Sequence, residues 1–240
     1  MVETRFDNGI FRITLNRPEK HNAFDAAMIA RFSEVLQEIP SETRVVLIAG
    51  NGKSFCAGAD INYMRAQATF SEEQNREDAR KLAHMFESIY LLPMPTVAAV
   101  HGNVFGGGLG IVAACDVAIA TDDARFCFSE VNMGIIPALI SPYVLRKTGV
   151  GFAKRYFLSA ELFTTATAKA AGLISESAAT DGLAAVVDKM VGALSAAGNQ
   201  AQKSAKRLLH AYENFEPFSR DQLIHELAKL RASDDAQARM

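Results

Sequence analysis

Two short apolar runs constrain the fold of this chain more than any other feature. Residues 45–49 read VVLIA and end at Gly50, and residues 96–100 read TVAAV and begin after Pro95. A strand with one solvated face alternates apolar and polar residues, so uninterrupted apolar runs indicate strands that are buried on both faces. Because parallel neighbours need crossover helices, the sequence predicts an α/β fold with a largely parallel sheet.

Strand and helix patterns alternate around these two runs. Alternating apolar side chains in residues 10–15 predict a half-buried strand, and further strands are predicted at 117–120 and 125–128. Apolar residues recur at helical spacing over 25–39 and 71–92, which predicts two amphipathic helices.

The C-terminal part of the chain has a different composition. From about residue 150 it is rich in Ala and shows helical periodicity with no convincing strand. The helices predicted there cover 154–158, 165–171, 183–197, 199–213 and 219–232. We expect an α/β core in residues 1–175 and a helical region in residues 176–240. These helices offer more apolar surface than one layer can bury against a sheet, which predicts an oligomer.

The charge balance argues against several classes of partner. Lys and Arg number 25 and Asp and Glu number 27, so the net charge is -2, and neither nucleic acid nor a membrane surface is expected as the main partner. The first seven residues hold acids where a signal peptide has bases, and the longest apolar stretch, 104–120, contains four glycines and Asp116. We expect a cytoplasmic protein without a membrane span.

Metal and nucleotide motifs are missing or incomplete. The three cysteines share apolar or small-residue surroundings: Cys56, Cys115 and Cys127. With no C-x-x-C pair and no His at ligand spacing, neither a disulfide nor a metal site is expected.

Residues 52–54 (GKS) lack the first glycine of a P-loop, and residues 106–110 lack the dinucleotide G-x-G-x-x-G spacing. The five scattered histidines argue against a catalytic triad.

Two glycine-containing loops remain as the candidate site. Residues 54–60 and 101–110 each follow a buried strand, and small residues there let the backbone approach a ligand. Free N–H groups at two such turns can form an oxyanion hole. Taken singly, each loop is better explained as a tight turn packed against its neighbour.

A series of short motifs runs in order along the chain. They are Asn16-Arg17-Pro18, Asn22-Ala23, FCAGAD at 55–60, Gly106-Gly107-Gly108, Cys115-Asp116, FSE at 128–130 and GIIP at 134–137. Together they resemble the crotonase (enoyl-CoA hydratase/isomerase) family over residues 10–175. The resemblance implies a spiral of β-β-α units, a C-terminal helical region that mediates trimerisation, and an acyl-coenzyme A thioester as ligand. It implies a homotrimer or a dimer of trimers, and no cofactor besides the coenzyme A of the substrate.

The resemblance also implies roles for particular residues. The backbone N–H groups of Ala59 and Gly107 would hold the thioester carbonyl, and Glu130 would be the catalytic base. The substrate-binding positions that it implies are Ala23, Asp60, Ile61, Asn62 and Gly106, with Ala23 near the nucleotide end and Asp60 to Asn62 along the pantetheine and adenine side. The cations that could meet phosphates, or could be solvated surface charges, are Lys20, Lys53 and Arg65.

One position departs from the family pattern. Hydratases of the family carry two glutamates; Glu130 matches the second, but Gly110 stands at the first. A single carboxylate makes Δ3,Δ2-enoyl-CoA isomerisation the simplest chemistry. Residues 126–144 nevertheless resemble the bacterial methylglutaconyl-CoA and isohexenylglutaconyl-CoA hydratase branch, which favours hydration and a place in leucine degradation. A catalytically reduced binding or assembly protein is the third alternative.

Overall fold

The computed structural model describes residues 1–214, 216 and 218–231. The strands are β1 (Val2–Asp7), β2 (Ile10–Leu15), β3 (Val45–Gly50), β4 (Ser54–Cys56), β5 (Thr96–Val100), β6 (Asn103–Phe105), β7 (Val117–Thr121), β8 (Arg125–Cys127), β9 (Phe163–Thr164) and β10 (Glu176–Ala178). The α-helices are α1 (Ala26–Gln37), α2 (Ile61–Gln67), α3 (Glu72–Tyr90), α4 (Gly107–Ala114), α5 (Ser141–Ser159), α6 (Thr165–Ala170), α7 (Leu183–Ala196), α8 (Asn199–Glu213) and α9 (Arg220–Arg231). Short 3-10 turns lie at Pro18–Lys20, Glu130–Met133 and Thr180–Gly182.

The larger of two sheets has six strands in the order β1, β2, β3, β5, β7 and β10. β1 and β2 pair antiparallel, and every other pair of neighbours in this sheet is parallel. The register sets Ile13 beside Ile48 and Ile48 beside Ala98, so buried positions align across three strands. The predicted α/β class with a largely parallel sheet is confirmed.

The packing of β3 explains why its apolar run is uninterrupted. Val46 and Ile48 point into the main core, to which α1 and α3 contribute much of the apolar surface. Val45 and Leu47 point to the other face and pack against Val187 of α7. Each of these four side chains is at most 3% exposed, and full burial of such a side chain contributes about 1.5–3 kcal/mol.

The smaller sheet brings the two glycine-containing loops together. Its order is β4, β6, β8 and β9, with β4, β6 and β8 parallel. β4 ends at Cys56 and leads through a loop to α2, and β6 ends at Phe105 and leads to α4. Because the carboxyl ends of parallel strands lie at the same edge of a sheet, the two loops are neighbours.

Two strands contradict the prediction that no strand lies beyond residue 150. β9 pairs antiparallel with β8, and β10 extends the larger sheet beside β7. Strands of two and three residues are too short to show alternation, and they form because an existing strand edge is available for pairing. The boundary between the two predicted parts, at residue 175, stays a prediction.

The C-terminal helices differ in length from the predicted ones. The helix expected at 154–158 is the last part of α5, which begins at Ser141 and bends at Gly149, where φ is 71°. The predicted end of the last helix, Ala232, and the rest of 232–240 lie outside the described residues. In the part of the chain that is described, no helix combines the length and the apolar character needed to cross a membrane.

Candidate active site

The first loop leaves one backbone N–H group free. Gly58 has φ of 87°, a conformation that glycine adopts without a steric penalty. The N–H of Phe24 donates to the Gly58 carbonyl over 2.7 Å, and the N–H of Asp60 donates to the Phe24 carbonyl over 2.8 Å. Between these two bonds, the N–H of Ala59 donates to no group in the described chain.

The second loop presents the N–H of Gly107 at the start of α4, which donates to no group in the part of the chain that the structure describes. Gly106 has φ of 45° and precedes Gly107, the first residue of the helix. N–H groups of the first helical turn have no partner within the helix, and they lie at the positive end of the helix dipole. A Cβ added to Gly58 would lie 3.1 Å from the Phe105 carbonyl oxygen and 3.8 Å from Gly106 Cα, so the two loops touch and glycine is required at this contact.

These loops line a cavity of about 340 Å³, which lies at the lower end of the range for small-molecule sites. Ala59, Gly106, Gly107 and Glu130 all contribute to its wall. The apolar side chains that line it include Phe24, Phe86, Leu139 and Ile140. A larger, more open cavity of about 830 Å³ lies between the end of α3 and helices α8 and α9, and none of these site residues lines it.

Glu130 is a buried carboxylate with an open hydrogen-bonding position. It begins the 3-10 turn after β8 and is 9% exposed, and its Oε2 atom has no hydrogen-bond partner among the described residues. A Cβ added to Gly106 would lie 3.3 Å from Glu130 Oε1, which places the carboxylate against the second loop. Burial raises the pKa of Glu130 above its ordinary value of 4.5, and a hydrogen bond with its own backbone offsets part of that shift. Such a group suits general-base catalysis.

Apolar side chains occupy the space beside Gly110. A Cβ added there would lie 2.5 Å from Ile140 Cγ2 and 2.6 Å from Phe86 Cε1. Phe86 is fully buried and Ile140 is 3% exposed, and both would have to shift toward the cavity that they line to make room. A glutamate at position 110 would therefore overpack the core, and introducing one is not a means to restore the two-carboxylate arrangement.

The remaining predicted binding residues lie outside this cavity. Asp60 caps the N-terminus of α2 by accepting from Asn62 N–H over 2.8 Å, and its carboxylate pairs with Arg17 Nη2 at 3.1 Å. Burial raises the pKa of Asp60, but the N–H groups of α2 and the charge of Arg17 outweigh it, so this pKa lies below the ordinary range. Ile61 is 67% exposed and the Ala23 carbonyl accepts from Arg17 Nη1 over 3.1 Å.

None of Ala23, Asp60, Ile61 and Asn62 lines the cavity of Glu130, and their proposed contacts with coenzyme A stay predictions. The three cations considered for phosphate binding are exposed: Lys20, Lys53 and Arg65. Among the described residues, no three His, Cys, Asp or Glu side chains are grouped to hold a metal ion.

The cavity wall carries a polar cluster that was not predicted from the sequence. The Tyr63 hydroxyl of α2 donates to Asp78 Oδ1 of α3, and Gln67 Nε2 donates to Asp78 Oδ2 over 2.6 Å. Burial, followed by the hydrogen bond to Asp78, raises the pKa of Tyr63. The one available signal was the spacing of Tyr63 and Gln67, which puts them on one face of α2. Nothing in the sequence pairs that face with Asp78.

The overall fold and the cavity at the edge of its smaller sheet, where a buried carboxylate lies near two free N–H groups, define a class: proteins of the crotonase fold. The crystal structure of an enoyl-CoA hydratase from Shewanella pealeana matches with a TM-score of 0.92 and 37% identity, covering 98% of this chain and 90% of that chain. AtuE from Pseudomonas aeruginosa matches with a TM-score of 0.92 and 30% identity, covering 98% of this chain and 93% of its own.

Sequence comparisons give the family. The model of the enoyl-CoA hydratase/isomerase family matches residues 5–238. The short-chain-enoyl-CoA hydratase of Clostridium acetobutylicum is 35% identical over 172 residues, which are 68% of this chain and 63% of that protein. The matches span about two thirds of the length of curated relatives, 65% for one from Thermus thermophilus and 68% for one from Alternaria alternata. The chain belongs to the enoyl-CoA hydratase/isomerase family, as its motifs implied.

Proposed function

We propose that the protein is an enoyl-CoA hydratase, which adds water across the α,β double bond of an acyl-CoA thioester. The observation that carries this proposal is the shared cavity of Glu130, Ala59 and Gly107. The two N–H groups hold the thioester oxygen, where negative charge grows as an enolate forms, and removal of one such donor costs about 10²–10³ in rate. Glu130 transfers the proton.

One carboxylate is sufficient for both proton transfers. Ionised Glu130 accepts a proton from water while the water oxygen bonds to C3, and the electron pair of the C2–C3 double bond moves onto the thioester as an enolate. Protonated Glu130 then returns this proton to C2, and the enolate electron pair forms the new C2–H bond. Both bonds form on the face that Glu130 contacts, so the expected addition is syn.

The proposed acyl group is branched and carboxylated, as in methylglutaconyl-CoA. The resemblance of residues 126–144 to that hydratase branch supports this choice. With glycine at position 110, that position adds no carboxylate that would repel a carboxylate of the substrate. Asp78 also lines the cavity, but its two oxygens already accept from Tyr63 and Gln67.

Isomerisation of a Δ3-enoyl-CoA to the Δ2 isomer is the second candidate. The packing of Phe86 and Ile140 beside Gly110 favours it, because apolar groups at that position offer nothing that could hold a water. One base that moves a proton between C2 and C4 requires no water.

The absorbance of the conjugated enoyl thioester distinguishes the two reactions. We expect it to disappear faster with 3-methylglutaconyl-CoA than with crotonyl-CoA, and to appear slowly with a 3-enoyl-CoA. Appearance from the 3-enoyl-CoA that outpaces both hydrations would contradict the hydratase proposal and support the isomerase.

Replacement of Glu130 by Gln removes the base and keeps the shape of the side chain. We expect Glu130→Gln to lower kcat by about 10²–10⁴ and to leave binding intact. Steady-state kinetics give the first quantity, and calorimetry with acetoacetyl-CoA gives the second. Glu87→Gln, at an exposed position of α3, is the matched control and should behave as wild type.

Two results of this experiment would contradict the proposal. Turnover that survives in Glu130→Gln would mean that another group is the base. No binding of acetoacetyl-CoA to the wild-type protein at submillimolar concentration would remove both enzyme candidates and support the assembly protein.

A further inference from the structure

Ser129 lines the same cavity as Glu130 with a hydroxyl group that the fold does not use. It stands at the N-cap of the Glu130–Met133 turn, where a serine side chain ordinarily accepts a hydrogen bond from the second or third N–H of the helix. Ser129 makes no such capping bond. Its hydroxyl forms no hydrogen bond with any other residue in the described chain, and the residue is only partly buried.

The other polar side chains of the cavity wall, apart from Glu130, lie on other elements and are already hydrogen-bonded. Tyr63 and Gln67 are bonded to Asp78, and Asn75 Nδ2 donates to the carbonyl oxygen of Phe70 over 3.4 Å. The four side chains of Tyr63, Gln67, Asn75 and Asp78 belong to α2 and α3. Ser129 is instead the immediate neighbour of Glu130, so the two side chains start from the same turn.

Hydration by a single carboxylate leaves the orientation of the water undetermined. A water that donates one O–H to Glu130 can still rotate about that hydrogen bond, and only some orientations direct a lone pair at C3. A second partner removes this freedom. The place of a second glutamate, beside Gly110, is filled by Phe86 and Ile140, so the partner must come from elsewhere on the wall.

We propose that the Ser129 hydroxyl is this second partner, a positioning residue for the attacking water; the inference rests on the proposed hydration. The water donates one O–H to Glu130 and the other to Ser129 Oγ, and its lone pair then faces C3. Glu130 takes the proton as the O–C3 bond forms and later delivers it to C2. Ser129 neither gains nor loses a proton.

Two reactions of the same protein separate positioning of water from structural damage. Hydration of 3-methylglutaconyl-CoA or crotonyl-CoA needs the water, whereas exchange of the C2 protons of butyryl-CoA with D₂O needs only Glu130 and the two N–H groups. We expect Ser129→Ala to lower kcat for hydration by about 10- to 100-fold, as for one lost hydrogen bond, with KM and the exchange rate within twofold of wild type. Ser129→Thr, which keeps a hydroxyl, should recover most of the hydration.

A control variant and the wild-type protein distinguish the possible outcomes of this experiment. Asn132→Ala changes an exposed residue of the same turn and should leave both reactions unchanged. Unchanged hydration in Ser129→Ala, or an equal loss of hydration and exchange, would overturn the assignment of Ser129 while the proposed function stands. If the wild-type protein exchanges C2 protons but hydrates neither enoyl-CoA, the proposed function itself is overturned, and the role of Ser129 with it.

Discussion

The burial of the Glu130 carboxylate destabilises the folded state. Its carboxylate is buried, Oε2 has no partner, and no cation of the described chain lies within ion-pair distance. A buried charge without compensation is unfavourable, and for the same reason burial raises the pKa of Glu130. Residues placed for chemistry often lower stability in this way.

The penalty predicts a pH-dependent gain in stability for Glu130→Gln. Because the folded pKa is raised, the folded protein holds the proton more tightly than the unfolded chain, and the free energy of unfolding falls as pH rises from about 4.5 to the folded pKa. We expect Glu130→Gln to be more stable than wild type near neutral pH and the difference to shrink below pH 4.5. Urea unfolding at both pH values measures it, and a variant less stable than wild type at neutral pH would contradict the explanation.

The residues of the candidate site differ in how far the sequence could reveal them. Ala59, Gly107 and Glu130 lie inside motifs that resemble a family, so their proposed roles came with the resemblance. Ser129 lies in the same motif, but its free hydroxyl depends on the geometry of a cap, which the sequence does not encode locally. Asp78 was missed because its partners lie on another helix.

At the scale of elements, α4 requires glycine for packing rather than for backbone freedom. Gly110 lies inside the helix, where glycine is ordinarily unfavourable, and the fully buried Phe86 and nearly buried Ile140 occupy the space of its missing side chain. Gly192 of α7 is the converse case, since a Cβ added there would meet no atom of the described residues within 4 Å.

These two glycines form a matched pair for substitution by alanine. We expect Gly110→Ala to lower the free energy of unfolding by about 1–3 kcal/mol through overpacking. Gly192→Ala should raise it by about 0.5–1 kcal/mol, because alanine restricts the unfolded chain and favours the helix. Chemical denaturation of both variants tests this, and a Gly110→Ala protein as stable as wild type would show that Phe86 and Ile140 move freely.

Some of these elements could be predicted from the sequence, and others could not. β3 and β5 were predictable because a strand that is buried on both faces has an uninterrupted apolar run in its sequence. β9 and β10 were not, because their two or three residues form strands only where β8 and β7 offer an edge. A strand can thus be predicted when it is long enough to show an apolar pattern of its own.

At the scale of the whole molecule, large apolar side chains remain exposed on the C-terminal half. Those exposed by half or more among the described residues from 150 onward are Leu158 at 77%, Leu162 at 62%, Leu209 at 61%, Val150 at 58%, Ile224 at 56%, Tyr212 at 54% and Leu227 at 50%. They belong to α5, α8, α9 and the segment after α5. Scattered exposed apolar residues are normal, but several on neighbouring segments are typical of surfaces that associate.

We therefore predict that the protein assembles through this half of the chain as a homotrimer or a dimer of trimers. Light scattering at micromolar concentration should give three or six times the monomer mass of 26.0 kDa. Burial of Leu158 in an interface would contribute about 1.5–3 kcal/mol per copy, so Leu158→Lys should weaken association about tenfold or more. Gln37→Lys adds the same charge at an exposed position of α1 and should leave the mass unchanged. A wild-type protein that stays monomeric across this range would refute the assembly, and an intact oligomer in Leu158→Lys would place the interface elsewhere.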